Sequence, residues 1–324
     1  MIRSTRADGI AGSLPMLSAT AVAMLLLLFV PLAHNGYYEN LGRGLLMYAA
    51  MALGWNVIGG YAGYVSFGNV VFFGLGAYTS GVLAAHGMLN VFVAIPIAAV
   101  VGAIFAFLFG VPILRLRGHY FAIATLAVAL ATQEVIANID GLGGGSGLTL
   151  HQSTVFVQYY YAMWVVCALS IVGTLLIARS KLGYALVAIR ENEDAAAVLG
   201  VDPVRFKVLA WVLSATMTAA AGAVFAFANG FIDPPTVFGV DYSVFPIVMA
   251  LLGGVSTVAG PVIGAFILTA LNEVLWSHFP QLHTLFFGAA IVIVVLFLPR
   301  GLLYLIRQRG GWRAFTSSFQ AYRV

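Results

Sequence analysis

The densest group of ionisable side chains in this 324-residue chain lies between Arg179 and Lys207, where four acids and five basic residues share one polar segment. Its centre reads Arg190-Glu191-Asn192-Glu193-Asp194-Ala195-Ala196-Ala197-Val198-Leu199-Gly200-Val201-Asp202-Pro203. Asp194-Ala195-Ala196-x-x-x-Gly200 has the make-up of a short amphipathic helix. Glu191, Glu193 and Asp194 gather near its positive N-terminal end, Gly200 supplies a stop, and Pro203 opens the next segment. A short rigid helix on a polar loop is a handle by which another protein can move this one. The alternative is an ordinary solvated loop with a chance helix in it. Catalytic chemistry is harder to find. The six histidines (His34, His86, His119, His151, His278, His283) are scattered, with no two at the i, i+4 spacing of a helical metal pair. The single cysteine, Cys167, excludes a disulfide framework and reads as a small packing residue. A phosphate loop requires Gly-Lys-Ser/Thr, yet Lys181 follows Ser180 and Lys207 follows Phe206. The chain does not bind ATP by that device, and neither a metal nor a cofactor is expected.

Composition says what must position this segment. Of all residues, 62% are hydrophobic and 8% are charged, against roughly 25% charged in an ordinary soluble domain. A membrane span takes about 20 mostly apolar residues, and such runs recur. The first covers Ser13–Ala33 behind Arg3 and Arg6. A cleaved signal peptide would look similar, but the number of later spans favours an uncleaved anchor. Further apolar segments fall near 43–60, 66–85, 91–114, 119–138, 159–178, 206–229, 244–272 and 284–299. With no alternating strand pattern, backbone groups in hydrocarbon are satisfied by helices. The expectation is one all-α polytopic bundle over 1–324, of about ten membrane segments (8–12), with the segment 179–207 as its main polar loop.

Fourteen of the fifteen basic residues fall in the N-terminus, around Arg115 and Arg117, across 179–207 and in the C-terminal stretch. The positive-inside rule makes those regions, and so both termini, cytoplasmic. Arg43 is the exception, at a span end where a long side chain snorkels to the interface. The net charge of +4 therefore reflects orientation and not nucleic-acid binding. This orientation requires 244–272 to enter and return, although 29 residues are too few for two full helices at about 1.5 Å each. A break is expected across Gly253–Pro261, and a similar one at Gly59-Gly60-Tyr61-Ala62-Gly63. Glycine-broken segments in matching halves are how transporters build binding sites.

Several residues carry two readings. Glu134, beside Gln133 towards the outer end of a span, either lines a path and meets a substrate ammonium or caps its helix at the interface. Ser66-Phe67-Gly68-Asn69 sits beside a break, where freed backbone groups and an amide could meet solute; tight helix packing is the alternative. Glu273, Asp233 and Asp241 read as solvated outer acids, and Gly260-x-x-x-Gly264 as a packing stripe.

Asp194-Ala195-Ala196-x-x-x-Gly200 resembles the E-A-A-x-x-x-G coupling loop of ATP-binding-cassette importer permeases, with aspartate for glutamate. Gly59-Gly60-Tyr61-Ala62-Gly63-Tyr64-Val65-Ser66-Phe67-Gly68-Asn69, running on to Phe73-Gly74-Leu75-Gly76-Ala77-Tyr78, is similar to the signature of the branched-chain amino acid permeases. So are the stretch from Gly118 to Ala127, Gly144-Gly145-Ser146-Gly147-Leu148, and Ala188-Ile189-Arg190-Glu191-Asn192-Glu193. The set covers about residues 45–270 in order. Asn69 stands where many relatives carry histidine, which leaves the solute open. The resemblance implies a permease subunit in a bacterial inner membrane. Its partners would be a periplasmic solute-binding protein, a second homologous permease and cytoplasmic ATPase subunits. It also implies that Arg190, Glu191, Glu193, Asp194, Ala195, Ala196 and Gly200 serve coupling, and that Ser66, Gly68, Asn69, Glu134, Gly144 and Gly145 lie on the path. The implied solutes are leucine, isoleucine and valine, or urea, amides or aromatic acids. A secondary transporter or passive channel is the competing class.

Overall fold

A computed structural model describes residues 14–87, 90–150 and 156–278, with isolated positions between 285 and 303. The described chain is helical apart from its loops and one pair of two-residue strands. The helices are α1 (Leu14–Leu28), α2 (Gly36–Trp55), α3 (Asn69–Ala85), α4 (Val91–Ile113), α5 (His119–Ala137) and α6 (Phe156–Arg179). They continue with α7 (Lys181–Glu191), α8 (Glu193–Val198), α9 (Pro203–Asn229), α10 (Pro234–Val237), α11 (Asp241–Gly253) and α12 (Ala259–His278). Seven helical segments are long and apolar enough to cross a membrane, and two shorter apolar ones accompany them. The chain is a multi-pass membrane protein. The expected segment at 284–299 lies outside the described residues, which hold seven span-length helices and two shorter apolar ones and so do not by themselves support the count of about ten.

The bundle has two ends, set by contacts. At one, Tyr64, Leu114, Arg117, Arg190, Glu193, Lys207 and Ser256 meet; this is the basic end. At the opposite end β1 (Leu148–Thr149) pairs antiparallel with β2 (Phe231–Ile232). There the exposed Tyr37 donates to Glu273, an acid that stays within reach of solvent. Asp233 caps α10 by accepting from the Thr236 N–H at 3.3 Å.

Helix α9 is the centre of the bundle and meets α3 backbone to backbone. A Cβ on Gly76 would lie 2.0 Å from the Ala219 carbonyl, and one on Gly222 would lie 2.0 Å from the Phe73 carbonyl. Without a water-driven hydrophobic effect between helices, such close approach is what holds membrane bundles together. The Gly260-x-x-x-Gly264 stripe acts likewise, pressing α12 against the Gly254 and Met249 carbonyls of the α11 segment.

One departure from expectation concerns the first break. Gly59 and Gly60 do not form it: α2 continues through them as a π-turn, Asn56–Tyr61. Their missing side chains make room for neighbours on the same helix, since a Cβ would fall 2.4 Å from the Trp55 ring and 2.0 Å from Asn56 Oδ1. The chain breaks only afterwards, between Ala62 and Gly68. The second break does fall inside the expected stretch, between Gly253 and Ala259.

Candidate functional site

The polar segment folds into two helices where one was expected. Ser180 caps α7, and Ala185, Leu186 and Ile189 form its buried stripe. Asn192 then separates α7 from α8 and caps the latter, its Oδ1 accepting from the Ala195 N–H at 2.9 Å. At the far end Gly200 stands at φ +86°. Its N–H donates to the Ala197 carbonyl at 3.0 Å and that of Val201 to the Ala196 carbonyl at 3.1 Å, the paired bonds of a Schellman stop. Ala196 is the buried residue of this single turn. Asp202 caps α9, and Pro203 takes its first position as expected.

The base of α8 is fixed by a buried cation. Lys207, on α9, is 1% exposed, and its three ammonium protons all have acceptors. These are Glu193 Oε1 at 2.8 Å, the Tyr64 hydroxyl at 3.0 Å and the Leu114 carbonyl at 3.0 Å. The ammonium also lies 4.5 Å from the centre of the Tyr64 ring, and Tyr64 donates its proton to the second Glu193 oxygen. Burial raises the Glu193 carboxyl, but hydrogen bonds from Lys207 and Tyr64 and the charges of Lys207 and Arg117 outweigh it and hold it below the ordinary glutamate range. The Tyr64 hydroxyl is pushed upward, first by burial and then by Glu193. Asp194 faces solvent and pairs with Arg117 at 3.0 Å; in that setting the pair orients more than it stabilises.

Arg190 reaches in the other direction. Its Nη1 donates to the Gly60 carbonyl at 3.1 Å and to Ser256 Oγ at 2.5 Å, while Nη2 pairs with Glu191 at 3.0 Å. The π-turn is also joined directly to the second break. Asn56 Nδ2 donates to the Thr257 carbonyl at 2.9 Å, the Ser256 N–H donates to Asn56 Oδ1 at 2.8 Å, and Ser256 Oγ donates to the Gly60 carbonyl at 2.7 Å. Residues of α2, α7 and the α11–α12 break thus share one polar junction.

Beyond these anchors, α8 ends in two apolar side chains that touch little. Val198 and Leu199 are 88% and 83% exposed, more than any other large hydrophobic residue among those described.

The residues expected on a path are dispersed. Ser66, Gly68 and Asn69 are buried within the bundle. Ser66 accepts from Trp55 Nε1 at 2.9 Å through its carbonyl, and Asn69 Nδ2 donates to Ser214 Oγ at 3.1 Å. The freed backbone groups of this break are taken up by Thr125 and Ser243. Glu134 lies on α5, the least covered of the long helices, on an open stripe with Tyr120, Ile123, Ala127 and Ala131. Gly144 and Gly145 form a short turn at the opposite end of the bundle from the junction.

The family of branched-chain amino acid transport system permease components matches residues 37–295. The chain belongs to that family. Among relatives, this permease is 30% identical to the high-affinity branched-chain amino acid transport system permease protein LivM of Salmonella typhimurium, over 81% of this chain and 69% of that one. It is 26% identical to LivH of Escherichia coli K12, over 79% and 91% of the two chains. A shorter stretch, 35% of the permease, is 36% identical to the autoinducer 2 import system permease protein LsrC of Klebsiella pneumoniae. No solved structure matches it. The family is a transport component and not an enzyme.

Sequence reasoning pointed at Arg190, Glu193 and Asp194 but not at what they hold. Tyr64, Asn56 and Ser256 were missed because their partners are far away in the chain. Lys207 carried a usable signal: it is a charge one turn inside a helix of apolar neighbours, where an acid must be near.

Proposed function

We propose that the chain is the membrane-spanning subunit of an ATP-driven importer in a bacterial inner membrane, with α7–α8 receiving the stroke of a partner ATPase. The observation that carries this reading is the pairing of an exposed apolar tip, Val198–Leu199, with a rigid base at Lys207, Glu193 and Tyr64. Outside a lipid-facing surface, exposed apolar side chains in a charged segment mark a protein contact. A base anchored by a fully satisfied buried ammonium passes force on where a loose loop would absorb it. The basic end is cytoplasmic in this reading.

The solute is a small branched-chain amino acid, as in the names of LivM and LivH; a different small solute, as the LsrC name illustrates, would leave the rest intact. The open stripe of α5 faces a second permease across the path, with Glu134 and the Gly144–Gly145 turn at the mouth. Ser66, Gly68 and Asn69 act behind it as packing. A binding protein delivers solute at the mouth.

Reconstituted with the subunits that co-purify with it, the chain should take up labelled leucine only when ATP is supplied on the basic side. Replacing Val198 and Leu199 together by glutamate should leave the protein folded but detach the ATPase. Uptake that proceeds without ATP, or that survives this double change, would support a secondary transporter or channel instead.

A further inference from the structure

The Arg190 junction has a geometry that a simple structural tie does not need. The π-turn of α2 and the second break meet at the basic end, and each frees backbone groups that need partners in a membrane. Gly60, in the π-turn, offers a carbonyl freed from the regular ladder, and Ser256 stands in the left-handed region at φ +61°. A side chain there is disfavoured. The conformation holds because the Ser256 N–H and Oγ both bond across to the π-turn, at Asn56 and Gly60. Arg190 then caps the pair. One guanidinium nitrogen donates to the π-turn and to the second break at once, while the backbone of Arg190 belongs to the last turn of α7 and sits three residues before α8 begins at Glu193.

The chain also clears a channel for this side chain. Gly63 has φ +77°, and a Cβ there would fall 2.5 Å from Arg190 Cγ. Only glycine suits the position on both counts. Removing Arg190 would leave the Lys207–Glu193–Tyr64 base of α8 and the Val198–Leu199 tip intact, because none of their contacts involves it. Holding the segment in place and linking it to the π-turn and the second break are therefore separable.

We infer that Arg190 is a positioning residue that makes the coupling segment, the π-turn of α2 and the α11–α12 break a single moving unit. Displacement of α7–α8 is delivered through its guanidinium to the basic ends of α2, α11 and α12. This inference rests on the reading of α7–α8 as the ATPase contact. A lysine cannot replace it, since a single ammonium lacks the planar fork that spans Gly60, Ser256 and Glu191 together.

The test uses the whole complex with its ATPase attached, spin-labelled at Ala195 on α8 and Val255 in the second break. Between ADP and ATP–vanadate the wild-type distance should stay constant. In Arg190→Gln it should change by about 2 Å or more, the scale of helix shifts in packed transitions. With leucine as the transported probe, solute moved per ATP hydrolysed should fall about ten-fold, within the usual range of coupling between sites. ATPase attachment and hydrolysis should persist. Arg190→Lys should not restore the ratio, and Gly63→Ala and Ser256→Ala should reproduce the loss even if the arginine variants fail to assemble. A purely structural role would lower attachment, hydrolysis and uptake together and leave the ratio unchanged. An Arg190→Gln complex that keeps both the distance and the ratio overturns the inference. Failure of the wild-type chain to bind an ATPase at all would overturn the functional reading instead.

Discussion

Replacing Glu193 by glutamine keeps the shape of the α8 base and removes its charge. Lys207 would remain buried, with the Tyr64 hydroxyl, the Leu114 carbonyl and an amide oxygen as neutral acceptors. Breaking a buried ion pair by deleting one partner costs about 3–5 kcal/mol. The retained hydrogen bonds and the partial exposure of Glu193, 16% of its side chain, reduce this to about 2 kcal/mol. At about 2 °C per kcal/mol for a chain of this size, the melting temperature should fall by roughly 4 °C. The pH dependence follows from the sign of the Glu193 shift. Its folded value is held below the ordinary one, so its contribution is complete above the unfolded value near 4.3 and is lost only as pH falls through the lower folded value. The Glu193→Gln loss should therefore be constant between about pH 6 and pH 8 and shrink only below about pH 4. Thermal unfolding in detergent across this range measures it, and a double-mutant cycle with Lys207→Met isolates the pair. Additive single losses in that cycle, or a loss that varies near neutral pH, would refute the reasoning.

Gly200→Val should abolish uptake while the protein stays inserted, because its left-handed stop costs a β-branched residue upwards of about 1–2 kcal/mol; Gly200→Asn should retain it, and equal uptake by both would remove the stop from the mechanism. Glu134→Gln should impair uptake while ATPase attachment and stimulated hydrolysis continue, and unchanged transport kinetics would make Glu134 an interfacial residue only. Cysteines at Ser146 and Thr236 should react with a membrane-impermeant thiol reagent from the periplasm, whereas one at Asn192 should not. Native Cys167 is buried and gives no background, and labelling of Asn192 from outside would reverse the orientation.

Much of the fold was legible because its signals are local. Long apolar runs mark helices by length, Pro203 and Gly200 mark a start and a stop, and the cluster of charge marks the main polar loop. The first break was misplaced for a physical reason: Gly59 and Gly60 resemble helix breakers, but there they yield space to Trp55 and Asn56 within a continuing helix. Helix α7 was overlooked because the surrounding charges hid its short apolar stripe of Ala185, Leu186 and Ile189. The site was legible only in outline. That Arg190 and Glu193 matter follows from finding charges between spans. That one joins Gly60 to Ser256 and the other meets Lys207 depends on packing between elements up to 196 residues apart, which no spacing rule records.

If the tip of α8 is where an ATPase grips the permease, the two proteins must touch at Leu199. A photo-crosslinking residue at Leu199, introduced in living cells, tests it most directly, with one at Tyr120 as a control on the lipid-facing or permease-facing side. A covalent adduct should form between the Leu199 position and an ATPase subunit, and none should form at the Tyr120 position. An ATPase that co-purifies with the chain but never cross-links through Leu199 would contradict that contact.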